Sequence, residues 1–178
     1  MDETAGSKGP LKIVAKTVMQ AVAETNEAVL ESAETVRGSL RKARAAVLRM
    51  LYARELRGAT GGFTPEDEAT LYDMLEVPRD DTELPYIRRM VRAVEKSAPE
   101  LDECISPLLH NWTIERLTRI DRLILRFAAY ELLHEHPAEA DDPTAVVVAA
   151  AVDMARMYST DEAIPFINGV LAGLVRDA

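Results

Sequence analysis

A chain of 178 residues that is 48% hydrophobic and 29% charged, with 8 glycines and few aromatics, suits one soluble domain with a real core and favours helix over sheet. No apolar run reaches the ~18 residues a membrane span needs; the acidic start MDETAGSKGP is unlike a signal peptide, and the single Cys104 cannot make an internal disulfide, so a reducing cytoplasm is the expected compartment. The net charge of −9 argues against a nucleic-acid partner for the surface as a whole, though not for a patch on it.

Residues 11–37 contain no Gly or Pro and place Leu11, Ala15, Val18, Val22, Val29 and Val36 near heptad positions, with Thr25 interrupting. That predicts a long amphipathic helix whose stripe needs the protein's own body or a second copy to pack against, which makes a homodimer one expectation. Gly38-Ser39 breaks it, and a second helix runs from about Leu40 to Leu56 with Val47, Leu48, Leu51, Tyr52 and Leu56 as its stripe. Gly58 and Gly61-Gly62 end that helix. Thr64-Pro65-Glu66-Asp67 starts the next, with Thr64 as N-cap and Asp67 reaching back. Pro78 to Pro85 reads as an acidic connection, 86–97 as a helix, and Ser97-Ala98-Pro99-Glu100 as the cap of a short one ending near Pro107. A strongly apolar helix follows at about 114–134, with Leu117, Ile120, Ile124, Phe127 and Ala128 on one face and leucines widening it, so it belongs at the centre of the core. Asp142-Pro143 starts the penultimate helix. Ser159 to Glu162 signals the last, and Pro165 either moves its regular part to near Ile164 or kinks it there, because a straight helix begun at Ser159 would clash with the ring. The expected fold is all-α, with an N-terminal extension at 1–38 and a folded domain at 39–178.

Charge is unevenly spread. Residues 39–57 carry Arg41, Lys42, Arg44, Arg49, Arg54 and Arg57 against Glu55 alone, and 86–96 carry Arg88, Arg89, Arg92 and Lys96 against Glu95. Residues 58–85 hold eight acids against one base. A basic patch on an acidic body is the reading, and a phosphate backbone responds to the patch. Arg41, Lys42 and Arg44 crowd a helix N-terminus, where the macrodipole disfavours cations, so they call for an external anion or for solvent. Arg116, Arg119, Arg122 and Arg126 are interleaved with Glu115, Asp121 and Glu131; they read as salt bridges joining parts of the core, with Glu115 and Arg119 as an i,i+4 pair.

The block R-L-x-R-I-D-R-x-I-L-R-x-A-x-Y-E-L (116–132), followed by F-I-N-G-V-L (166–171), closely resembles the NusB family of bacterial transcription antitermination factors. The resemblance extends in order through LRKARAAVLRMLYARELRG (40–58), YIRRMVRAV (86–94) and LDECISPLLHNW (101–112). It implies two small helical bundles packed across one another. It also implies binding of boxA RNA together with NusE, a protein that also serves in the small ribosomal subunit, and through that complex an effect on elongating RNA polymerase at ribosomal RNA operons. Position by position it implies RNA phosphate contacts from Arg41, Lys42 and Arg44, aromatics near the RNA or partner surface at Tyr52 and Tyr86, and RNA-side residues at Glu162 and Phe166. Rings such as Tyr52 and Tyr86 either stack on unpaired bases or fill a core with the hydroxyl at its rim. The stretch VVVAAAVDMARMY (146–158) departs from the family in being unusually apolar, and residues 1–38 have no family counterpart.

Enzyme readings find no support: there is no Gly-rich phosphate loop, no G-x-S-x-G and no paired cysteine, and His134 and His136 stand two apart at a helix end, where they cannot share a face. No catalytic residue, metal or cofactor is expected. The competing expectation is a helical protein–protein module that kept the fold and lost tight RNA binding as it became acidic.

Overall fold

Thr64 and Asp67 show how local chemistry starts an element. The Asp67 N–H donates to the Thr64 hydroxyl (3.2 Å) while the Asp67 carboxylate accepts from the Thr64 N–H (2.9 Å), so two orphan donors are satisfied reciprocally. The computed structural model describes residues 40–75, 84–135 and 142–177, and the helix expected at 11–37 lies outside them. Among the described residues every regular element is helical: α1 over 40–57, α2 Pro65–Leu75, α3 Leu84–Lys96, α4 Ala98–Ile105, two 3-10 turns at Ser106–Leu108 and Ile114–Arg116, α5 Arg119–His134, α6 Pro143–Tyr158 and α7 Ala163–Asp177.

The helix ends follow their sequence signals with three corrections. α1 stops where Gly58 turns to φ +66°, its N–H bonding the Glu55 carbonyl and the Ala59 N–H bonding that of Arg54. The Asp142 carboxylate caps α6 by accepting from the Ala145 N–H at 3.0 Å, with Pro143 in the first turn. α7 accommodates Pro165 because it starts at Ala163, which leaves the proline in the first turn, where an N–H has no helical partner. The first correction is that α3 begins at Leu84 and takes Pro85 into its first turn. The second is that Ser97 makes no side-chain cap; its N–H still bonds the Ala93 carbonyl, so α4 follows α3 after a one-residue break. The third is that the helix expected from 114 begins only at Arg119: Leu117 and Thr118 have extended ψ values near 150°, and the Thr118 hydroxyl caps Asp121. Glu115 and Arg119 therefore sit on different elements and form no i,i+4 pair.

Burial orders the helices around α5. Leu123, Ile124, Leu125, Phe127, Ala128, Ala129 and Leu132 are all buried, which requires neighbours on nearly every side, and α5 packs on α3, α4, α6 and α7. The α4–α7 side forms one bundle. The other is α1–α3, with Leu48, Met50, Leu51, Leu71, Ile87 and Met90 inside. Its polar centre is Arg54, which has no solvent exposure and donates to Glu95 Oε1 (2.7 Å), the Gly61 carbonyl (2.9 Å) and Asp67. A buried guanidinium is tolerated when its donors are met this fully. No described helix is long and apolar enough to cross a membrane.

Candidate nucleic-acid interface

The first turn of α1 separates its cations by helical phase. Arg41 and Lys42 are exposed, while Ala43, Ala46 and Val47 turn inward. Arg44 precedes Val47 and Leu48 by three and four residues, so it falls on the apolar stripe and is only 6% exposed. Its Nε lies 3.0 and 3.1 Å from the two Glu131 carboxylate oxygens, and a terminal nitrogen donates to Oε1 at 2.8 Å. A phosphate would reach Arg44 only by displacing Glu131. Of the three cations expected to touch phosphate, two face outward, and the third fixes the start of α1 to the end of α5.

Tyr86 joins this anchor, its hydroxyl 3.5 Å from Glu131 Oε1 and its ring 5.5 Å from the Arg89 guanidinium carbon. Burial, then the Glu131 charge, drives the phenol well above its ordinary range, so it stays a neutral donor. Burial also pushes the Glu131 carboxyl upward, against the pull of the Arg44 hydrogen bond.

Tyr52 belongs to the opposite end of α5. It lies under the Arg119 guanidinium (5.7 Å) and, with Leu48, Leu56, Ile120 and Tyr158, lines a groove of about 390 Å³. Arg119 and Glu131 are twelve residues apart, ~18 Å along the helix, so the two tyrosines do not share one surface. Leu56 is 61% exposed at the groove rim, a large apolar side chain left to solvent. Glu162, four residues beyond Tyr158, is exposed, and hydrogen bonds from its own backbone N–H and from the Thr160 hydroxyl hold its carboxyl below the ordinary range. Phe166 is half-buried and packs against the core from α7.

The arginine stripe of α5 is used internally, but its partners are Glu55 and Asp102 and not the acids interleaved with it. Glu55, the lone acid of its stretch, accepts from Arg119 (3.1 Å) and Arg122 (2.6 Å) and lies 3.7 Å from Arg126, which also grips Asp102. Arg116 lies 5.1 Å over the Trp112 ring instead. The signal for Glu55 was its isolation among six cations; for Arg44 and Arg54 it was their phase on the α1 stripe.

The profile of the NusB family matches residues 41–176. The transcription antitermination protein NusB of Staphylococcus aureus, strains JH9 and Newman, is 38% identical over 112 residues, covering 61% of this chain and 83% of the relative. Among solved structures, T. maritima NusB superposes with a TM-score of 0.63 at 31% identity, covering 77% of this chain and 90% of that one. A structure of the antitermination factors NusB and NusE in complex with dsRNA gives a TM-score of 0.62 at 25% identity, over 78% of this chain and 96% of that one. NusB from Aquifex aeolicus gives 0.59 at 27% identity, over 76% and 87%.

Proposed function

The chain belongs to the NusB family, and we propose on that premise that it is a transcription antitermination factor that binds boxA RNA of ribosomal RNA operons together with NusE and acts through that complex on elongating RNA polymerase. The observation that carries this reading is the exposed pair Arg41–Lys42 on a helix start made rigid by the buried Arg44–Glu131 bond. A cationic helix start is unfavourable to the helix dipole, and an RNA phosphate offsets that cost while gaining charge-assisted hydrogen bonds. Arg41 and Lys42 contact phosphate in this reading, and Arg44 is a positioning residue. Tyr86 steadies the same anchor. Glu162, held ionised, accepts from base amino groups, and Phe166 supports the turn that carries it. The groove at Tyr52, Leu56, Ile120 and Tyr158 takes the apolar surface of NusE, since exposed apolar side chains rimmed by arginine suit a protein partner better than a phosphate chain.

The test is a mobility-shift titration with boxA RNA, with and without NusE. A shift that NusE strengthens is expected. Uptake of NusE with no RNA shifted at any concentration would identify the acidic interaction module instead, the reading that the net charge of −9 favours.

A further inference from the structure

α3 carries a second cationic surface that the roles above leave unused. Arg88, Arg92 and Lys96 recur every four residues, and with Arg89 they occupy the side of α3 opposite the buried Ile87, Met90, Val91 and Val94. The first two are compensated, Arg88 by Glu68 and Arg89 by Glu135. Arg92 and Lys96 are exposed and have no hydrogen bond or ion pair among the described residues; the adjacent acid, Glu95, is held by Arg54. The Arg92 guanidinium carbon lies 5.4 Å from the centre of the Phe63 ring, a contact that orients the side chain and spends none of its N–H donors. Arg92 and Lys96 line both grooves that flank this ridge, one with Arg88 and Arg89, the other reaching Thr60 and Gly61.

The ridge also continues the interface proposed above. Its first members stand beside Tyr86, whose hydroxyl meets the carboxylate that anchors Arg44, so the cationic start of α1 and the start of α3 are neighbours. From Arg88 to Lys96 it spans ~12 Å. It offers no open aromatic face, because Phe63 lies against both Arg54 and Arg92, so it suits phosphates and not bases.

We propose that the outer ridge of α3, through Arg92 and Lys96, is a second phosphate-contacting segment that carries the RNA strand beyond the start of α1. This deepens the RNA-binding reading and rests on it. It adds affinity without sequence preference and has the salt sensitivity of counterion release.

The experiment measures affinity of the full chain with NusE for a single-stranded RNA carrying boxA between flanks on both sides, over a series of salt concentrations. R92Q/K96Q should weaken binding and lower the log–log salt slope by roughly 1.4, at about 0.7 for each single-strand phosphate that is no longer neutralised. R156Q/R176Q, which removes two exposed cations from α6 and α7, should leave the slope unchanged. A wild-type slope in R92Q/K96Q, or an equal fall in the α6–α7 control, overturns the proposal. Loss of NusE affinity in R92Q/K96Q at an unchanged RNA slope would assign the ridge to an acidic protein surface and overturn it too. Failure of the wild-type chain to bind the RNA at all would instead sink the RNA-binding reading on which the proposal stands. Circular dichroism of each variant confirms that it is folded.

Discussion

Arg44 at the start of α1 and Glu131 near the end of α5, 87 residues apart in sequence, close on each other through a forked hydrogen-bonded ion pair almost sealed from solvent. Such a pair contributes little net stability over an apolar replacement, because both charges have lost their hydration. What it supplies here is position: the helix start that presents Arg41 and Lys42 is tied to the central helix.

Breaking the pair from one side should therefore cost far more than removing it. Glu131→Ala leaves a buried guanidinium unpaired and should lose about 3–5 kcal/mol in urea unfolding. Arg44→Met combined with Glu131→Leu should regain most of that loss. A double variant as unstable as the single one would show that the pair is worth more than its desolvation.

Acid should attack the α1–α2 junction through Asp67. Burial alone raises its carboxyl, but hydrogen bonds from the Thr64 N–H and hydroxyl and the charges of Arg54 and Arg57 outweigh burial and hold it below its ordinary 3.8. A carboxyl with a depressed folded-state pKa binds fewer protons folded than unfolded. Its contribution is complete above the unfolded value and is lost as pH falls through the folded one. Stability of the wild-type chain should thus fall below about pH 4, and Asp67→Asn should flatten that part of the curve while lowering stability at neutral pH. An acid limb unchanged in Asp67→Asn would assign the acid sensitivity to other carboxylates.

The centre of the core makes a simpler prediction. Ile124 and Phe127 have no solvent exposure, so Ile124→Ala should cost about 2–5 and Phe127→Ala about 3–5 kcal/mol of unfolding free energy. Losses below ~1 kcal/mol would mean that α5 can collapse onto the vacated space.

The contrast between these sites explains what the sequence made legible. Thr64–Asp67, Asp142-Pro143 and Gly58 announced their helix ends because capping is decided within four residues. The centrality of α5 was visible because its apolar residues leave only a narrow polar stripe, the one its arginines occupy. The break at Leu117 was hidden by apolar residues that keep a helical period across it, although Thr118 and Asp121 carry a capping signal of their own. Arg44, Arg54 and Glu55 were hardest to read. A charge looks the same in sequence whether it faces solvent or a partner 41 or 87 residues away, and only its helical phase tells the two apart. Of the candidate interface, the inward turn of Arg44 is written in its phase on the α1 stripe, whereas its partner Glu131, 87 residues away, is identified only by the fold.

Two surfaces at opposite ends of α5 should be separable by mutation. Arg41→Ala with Lys42→Ala removes exposed cations from a helix start that the dipole disfavours, and alanine is the better helix former, so stability should hold or rise slightly. RNA affinity should drop, and the salt slope should fall by roughly 1.4 for two single-strand phosphate contacts. Leu56→Asp places a charge on a side chain that is 61% exposed, so it should shift stability by no more than about 0.5 kcal/mol. At the rim of the Tyr52–Tyr158 groove, however, that charge would be buried unpaired by an apolar partner, so NusE binding should weaken by at least tenfold. RNA binding by the chain without NusE should be unaffected by Leu56→Asp, and NusE binding without RNA should be unaffected by the Arg41 and Lys42 changes. Calorimetric titration with NusE and anisotropy with boxA RNA separate the two effects. If either variant lowers both affinities alike, RNA and protein share one surface, and the ~18 Å along α5 between Arg119, which covers Tyr52, and Glu131, which Tyr86 meets, does not divide their roles.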